Sequence, residues 1–161
     1  VNDQLSFDTP DSDAVEHEEL SLWFDGASRG NGQAGARASI GGVVRDTRTG
    51  AVLAEVSETI GEETNNVAEY RALLATIEAA NAFGARRLRV HGDSALVINQ
   101  LQGRWKVKAA HLLPLLRSVQ RAMAGYEAVE LAHIPRADNH EADALANAAL
   151  DGDDETEDIA P

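Results

Sequence analysis

Residues 38–46 (ASIGGVVRD) and 51–59 (AVLAEVSET) both read as strands, and only a turn at Thr47–Gly50 separates them. A connection that short joins strands antiparallel, because a parallel crossover needs a dozen or more residues. Ahead of them, Leu20, Leu22 and Phe24 alternate with Ser21 and Trp23, which predicts a further strand ending near Asp25. A glycine-rich loop follows over 26–37. The chain therefore begins its ordered part with three consecutive antiparallel strands.

The period then changes. Thr64, Asn65 and Asn66 are all helix N-cap types. After them Val67, Tyr70, Leu74 and Ile77 recur at helical spacing, Leu73 and Ala80 widen the face, and Gly84 supplies a stop. Residues 87–92 (RLRVHG) predict a short strand and Ser94–Leu101 a short helix. A connector over 102–110 leads to a helix whose first turn holds Pro114 and which reaches about Ala124. Residues 127–134 alternate as a last strand, and a final helix is expected from Asn139 to Leu150. The order β-β-β-α-β-α-α-β-α implies an α/β fold: a mixed five-stranded sheet, antiparallel then parallel, with helices on both faces.

The net charge of −13 argues at first against a partner made of phosphates. Its distribution removes the objection. Thirteen of the 27 acids lie in residues 1–19 and 151–161, which contain no Lys or Arg, and the remaining 14 face all 14 bases. Three segments follow: an acidic tail over 1–18, expected to be disordered, one domain over 19–150, and a second such tail over 151–161. Twelve arginines against two lysines (Lys106, Lys108) fit adaptation to high salt, and fit genome composition equally. There is no cysteine, so disulfides and thiolate metal sites are excluded. No apolar run approaches the roughly 20 residues of a membrane helix, and the polar, acidic start is not a signal peptide. A cytoplasmic monomer is the expectation.

Four carboxylates fall at ends of expected elements: Asp25 after the first strand, Glu69 early in the long helix, Asp93 after the fourth strand, and Asp143 in the first turn of the last helix. Position alone gives them ordinary roles as caps or dipole partners. Their contexts say more. Asp25 sits in DGASRGNG, Glu69 in TNNVAEYRALL, Asp93 in HGDSALVINQ and Asp143 in NHEADALANAAL. In this order and spacing the four motifs resemble the type 1 ribonuclease H family over about residues 20–150. The short connector at 102–110 is similar to that of the short archaeal and bacterial members.

The resemblance implies a ribonuclease H-like fold and cleavage of the RNA strand of an RNA/DNA hybrid, leaving 5′-phosphate and 3′-hydroxyl ends. It implies two Mg²⁺ ions, with Mn²⁺ as a substitute, held by Asp25, Glu69, Asp93 and Asp143. The chemistry suits those residue types: two divalent ions about 3.5–4 Å apart activate water and stabilise the leaving oxygen, and hard Mg²⁺ takes oxygen ligands. The resemblance further implies that Asp25 bridges the ions, Asp143 helps hold the one that activates water, and Glu69 and Asp93 hold the one near the leaving oxygen.

Ser28, Asn31, Asn66 and Ser94 are implied contacts to the nucleic acid, with helix capping the competing role for Asn66 and Ser94. Arg104, Trp105, Lys106 and Lys108 form a basic cluster with an aromatic, suited to the DNA strand, unless Trp105 tucks into the core. Arg29 is either a phosphate contact or a counter-charge to the acids. His133 precedes Asn139 at the spacing of the family's auxiliary histidine, but HIPRADN lacks a glycine-rich loop, and His133 is expected on a strand. His140 lies nearer Asp143 in a different context. A silent nucleic-acid-binding module, a double-stranded RNA nuclease and a junction resolvase are the alternatives weighed; the last fits the TNN-x-x-E and DGASRGN contexts poorly.

Overall fold

A computed structural model describes residues 17–31 and 33–159. Five strands, β1 (Glu19–Arg29), β2 (Arg37–Asp46), β3 (Val52–Gly61), β4 (Arg87–Gly92) and β5 (Ala128–His133), form one sheet in the order β3-β2-β1-β4-β5. Both β1–β2 and β2–β3 are antiparallel, while β4 runs parallel to β1 and to β5. Among the described residues four α-helices accompany them: α1 (Asn65–Ala80), α2 (Ala95–Leu101), α3 (Leu113–Met123) and α4 (His140–Ile159). The mixed sheet and the order of elements are those expected from the sequence.

Helix α1 lies across β1, β2 and β3 on one face, and α4 crosses the same three strands on the other. The main core fills the α1 side, where Leu20, Leu22, Phe24, Tyr70, Leu73 and Ile77 are fully buried. Thr64 caps α1 by accepting a hydrogen bond from the Val67 amide, and Gly84, at φ 65°, closes the turn that follows the helix.

Two boundaries differ from expectation. Strand β1 does not end near Asp25; Gly26–Arg29 continue it, paired with Ile40–Arg37. These residues are small or polar, so the apolar alternation fades while the backbone ladder persists. The last helix does not stop at Leu150 but reaches Ile159, so 151–159 of the expected C-terminal tail are helical. No proline intervenes and Gly152 does not adopt positive φ, while Asp151 pairs with Arg29 at 2.8 Å. Residues 1–16 of the expected N-terminal tail lie outside the described residues. At its end, His17 donates to the Asp46 carboxylate at 2.6 Å.

Candidate active site

The carboxylates meet beside the carboxyl end of β4, where its parallel neighbour β1 passes Asp25 and runs on to Arg29. Phe24 is in register with Gly92, so Asp25 and Asp93 are the next residues of neighbouring strands. Such strand ends are the usual place for a ligand in a sheet of this kind.

Glycines bring in the other two. Gly26 faces α1, and a Cβ there would lie 2.4 Å from the Glu69 backbone nitrogen. Its absence lets the helix settle on the strand, and the Gly26 amide donates to Glu69 Oε1 at 2.9 Å. On the opposite face, a Cβ at Gly41 would lie 2.2 Å from the Ala142 carbonyl oxygen. Helix α4 therefore sits close to β2, an approach matched by its own small residues Ala142 and Ala146. Ser39 Oγ donates to the Ala146 carbonyl at 2.6 Å across that contact. Asp143, one residue after Ala142, is thereby brought near enough to Asp25 to raise its pKa, although it stands outside the tight group formed by the other three acids.

Ligand oxygens of Asp25, Glu69 and Asp93 all lie within 4.8 Å of one another. Burial raises the Asp25 pKa to about 8, helped by the Asp93 charge and by the hydrogen bond and charge of Asp143, with Arg136 acting in the opposite direction. Glu69 is held well above the ordinary carboxylate range by burial and then by the Asp25 charge; the Gly26 amide and Arg136 oppose the shift. A set of close oxygens that resist ionising together suits a hard divalent cation, whose charge would stabilise their ionised forms.

The sequence expectations did not include Arg136 or Asn139 among the site residues. Arg136 belongs to the 3₁₀ turn Arg136–Asp138 ahead of α4, and its charge acts on both Asp25 and Glu69. No local pattern marks it, since its proximity to those acids arises only in three dimensions. Asn139 is 1% exposed, and its Nδ2 donates to the Phe24 carbonyl at 2.9 Å and to Asp93 Oδ2 at 3.3 Å. Its place just before a helical pattern was the available signal, pointing to a cap rather than to Asp93.

The remaining expected residues flank the acids in two groups. Ser28 Oγ donates to the Glu63 carbonyl, Arg29 pairs with Asp151, and Asn31, at φ 44°, accepts from the Asn65 amide through Oδ1 at 2.9 Å. The Ser28 and Asn31 contacts tie the end of β1 and its loop to the start of α1, and the Arg29–Asp151 pair ties it to α4. On the other side, Asn66, Trp105 and Lys106 line one groove, with Arg104 exposed nearby. Trp105 is 49% exposed, not tucked into the core. Ser94 caps α2, accepting from the Val97 amide. His133 ends β5 and is exposed, as is His140 at the start of α4. Among the described residues, no helix is long and apolar enough to cross a membrane.

A family model described as Reverse transcriptase-like matches residues 24–149. Ribonuclease HI of Halobacterium salinarum is 43% identical over 132 residues, covering 82% of this chain and 64% of that protein. The chain thus spans less than two thirds of that relative's length. The N-terminal RNase H domain of Rv2228c from Mycobacterium tuberculosis, solved as a maltose-binding-protein fusion, superposes with a TM-score of 0.77 at 42% identity. That match covers 81% of this chain and 98% of the other. LC11-RNase H1, solved in complex with RNA/DNA hybrid, gives a TM-score of 0.76 at 36% identity, covering 83% of this chain and 97% of that one. With the motifs, the sheet and the carboxylate cluster in agreement, the chain belongs to the type 1 ribonuclease H family.

Proposed function

We propose that this protein is an endonuclease that hydrolyses the RNA strand of RNA/DNA hybrids, leaving 5′-phosphate and 3′-hydroxyl ends. The observation that carries this is the convergence of Asp25, Glu69 and Asp93, with Asp143 close enough to act on Asp25. The hybrid bound to LC11-RNase H1 supports the substrate.

Two Mg²⁺ ions, or Mn²⁺ in their place, fit this donor set. Asp25 and Asp143 would help hold the ion that activates water, and Asp25, Glu69 and Asp93 the ion that stabilises the leaving oxygen. When bound, the ions supply an activated water and stabilise the developing charge on the leaving 3′ oxygen. The chain's own residues position the acids and the substrate. Asn139 steadies Asp93, the Gly26 amide steadies Glu69, and Arg136 adds positive charge beside the acids. Ser28, Arg29, Asn31, Asn66 and Ser94 contact the strands around the cut, where the 2′-hydroxyl distinguishes RNA. Arg104, Trp105 and Lys106 receive the DNA strand, combining phosphate attraction with an exposed aromatic surface. All these residues come from one chain, so a monomer is sufficient.

The test is a panel of labelled RNA/DNA, RNA/RNA and DNA/DNA duplexes with Mg²⁺. The proposal expects cuts in the RNA of the hybrid, with 5′-phosphate ends. Preferential cutting of RNA/RNA identifies a double-stranded RNA nuclease instead, and binding without cutting identifies a silent module.

A further inference from the structure

The groove beside the acids has a volume of about 520 Å³ and is lined by Asn66, Leu96, Gln100, Trp105, Lys106 and Lys108, among others. Most of these are surface side chains. Gln100 is not: it is 7% exposed, and its amide bonds at both ends. Its Oε1 accepts from the Tyr70 hydroxyl at 2.5 Å, and its Nε2 donates to the Lys106 carbonyl at 3.4 Å. Tyr70 is fully buried and adjoins Glu69 in α1. The Lys106 carbonyl is an acceptor only, so a flipped amide would set two oxygens against each other there. One orientation of Gln100 satisfies both partners.

The backbone beyond this amide turns sharply, with the Gln102 and Gly103 amides donating to the Ile98 and Gln100 carbonyls at 3.0 and 3.1 Å. Helix α2 ends at Leu101, and Gly103 turns the chain at φ 79°. The Arg104 and Trp105 amides then both donate to the Asn99 carbonyl, at 2.9 and 3.2 Å. The Gln100 side chain holds the next residue, Lys106. A continuous path therefore runs from the helix that carries Glu69, through Tyr70 and Gln100, to the segment that carries Trp105 and Lys106.

Resting on the proposed hybrid nuclease function, we infer that Tyr70 and Gln100 are positioning residues whose buried hydrogen bonds set the placement of the Trp105–Lys106 segment relative to Glu69, and so govern the grip on the DNA strand. Neither is one of the carboxylates that would hold the metal, and both act through the segment they position. Their effect falls on binding, because the carboxylates have separate supports in the Gly26 amide and Asn139.

The test compares wild type, Tyr70→Phe, Gln100→Met and Trp105→Ala on a labelled RNA/DNA hybrid with Mg²⁺, with folding followed by circular dichroism. One net hydrogen bond corresponds to roughly a five-fold effect, so Tyr70→Phe and Gln100→Met are each expected to raise KM about three- to ten-fold, with kcat within about two-fold of wild type. In a Trp105→Ala background, Tyr70→Phe should raise KM by clearly less than it does in wild type, because only Lys106 is then left to be placed, a result that loss of stability alone would not produce. Tyr70→Phe keeps the ring packing and carries the test if Gln100→Met does not fold. Unchanged KM in folded Tyr70→Phe, or an equal effect with and without Trp105, overturns the inference. A wild type that leaves the hybrid uncut overturns the functional proposal itself, which separates the two failures.

Discussion

Asp25 lies directly opposite Gly41 in the antiparallel ladder of β1 and β2. The missing side chain at Gly41 lets α4 press against the sheet at that level, which is how Asp143 reaches Asp25. Gly26 does the same for Glu69 on the other face. Two of the four acids thus depend on backbone approach at a glycine.

Gly41→Ala should therefore displace α4 and separate Asp143 from Asp25. Overpacking of this kind costs about 1–3 kcal/mol. Cleavage should fall at least about ten-fold, since small displacements of catalytic groups are costly. Thermal unfolding together with hybrid cleavage checks both effects; a variant with wild-type activity would show that the close approach does not serve the site.

The metal-free protein should lose stability as pH rises from about 4 to about 8. The folded Asp25 pKa of about 8 lies above the ordinary carboxylate value of 3.8, so the folded state holds a proton that the unfolded chain releases. Glu69 shifts in the same direction. Asp46 works oppositely: His17 first, and then the Thr49 amide, lower its pKa to about 2, so its stabilisation is lost as pH falls from 3.8 through 2. Unfolding midpoints in EDTA across this range should peak near the acidic end of the window, and Mg²⁺ should restore stability at pH 8. A midpoint independent of both pH and Mg²⁺ between 5 and 8 would contradict the carboxylate electrostatics.

Asn139→Ala removes the donor shared by the Phe24 carbonyl and Asp93. The buried carbonyl loses a partner, at a cost of about 1–3 kcal/mol. Mg²⁺ affinity should weaken about 10–100-fold, as for other losses of support behind a ligand. Titration calorimetry of the folded variant measures this, and wild-type affinity would remove Asn139 from the site.

The hairpin, the order of elements, the mixed sheet and the candidates Asp25, Glu69 and Asp93 that the fold groups were legible in the sequence, because alternation and motif context are local properties. Gly41 was read only as part of a strand, since what it accommodates is Ala142, a hundred residues away. Arg136 carries no motif, and Asn139 looks like a helix cap whatever else it holds. The extension of β1 through Ser28 and Arg29 was hidden because its residues pair through backbone groups without apolar alternation. The continuation of α4 past Leu150 was hidden by acidic composition, although Asp151 has Arg29 as a partner.

That partner narrows what the acidic segments are expected to do. Removing 1–16 and 153–161 keeps the His17–Asp46 and Arg29–Asp151 contacts and should leave metal-dependent cleavage within about two-fold of wild type. If the acids serve a high-salt setting, the intact chain should keep its activity in molar salt better than the trimmed one. Loss of cleavage on trimming at ordinary salt would assign these segments to the catalytic unit.

The most direct measurement is cleavage of a labelled RNA/DNA hybrid by wild type and Asp25→Asn side by side, with Mg²⁺ and with EDTA. Wild type should cut the RNA strand only with the metal, and Asp25→Asn should be slower by more than about 10³-fold while remaining folded. Cleavage by Asp25→Asn at the wild-type rate, or by wild type in EDTA, would contradict the assignment of these carboxylates to a metal-dependent active site.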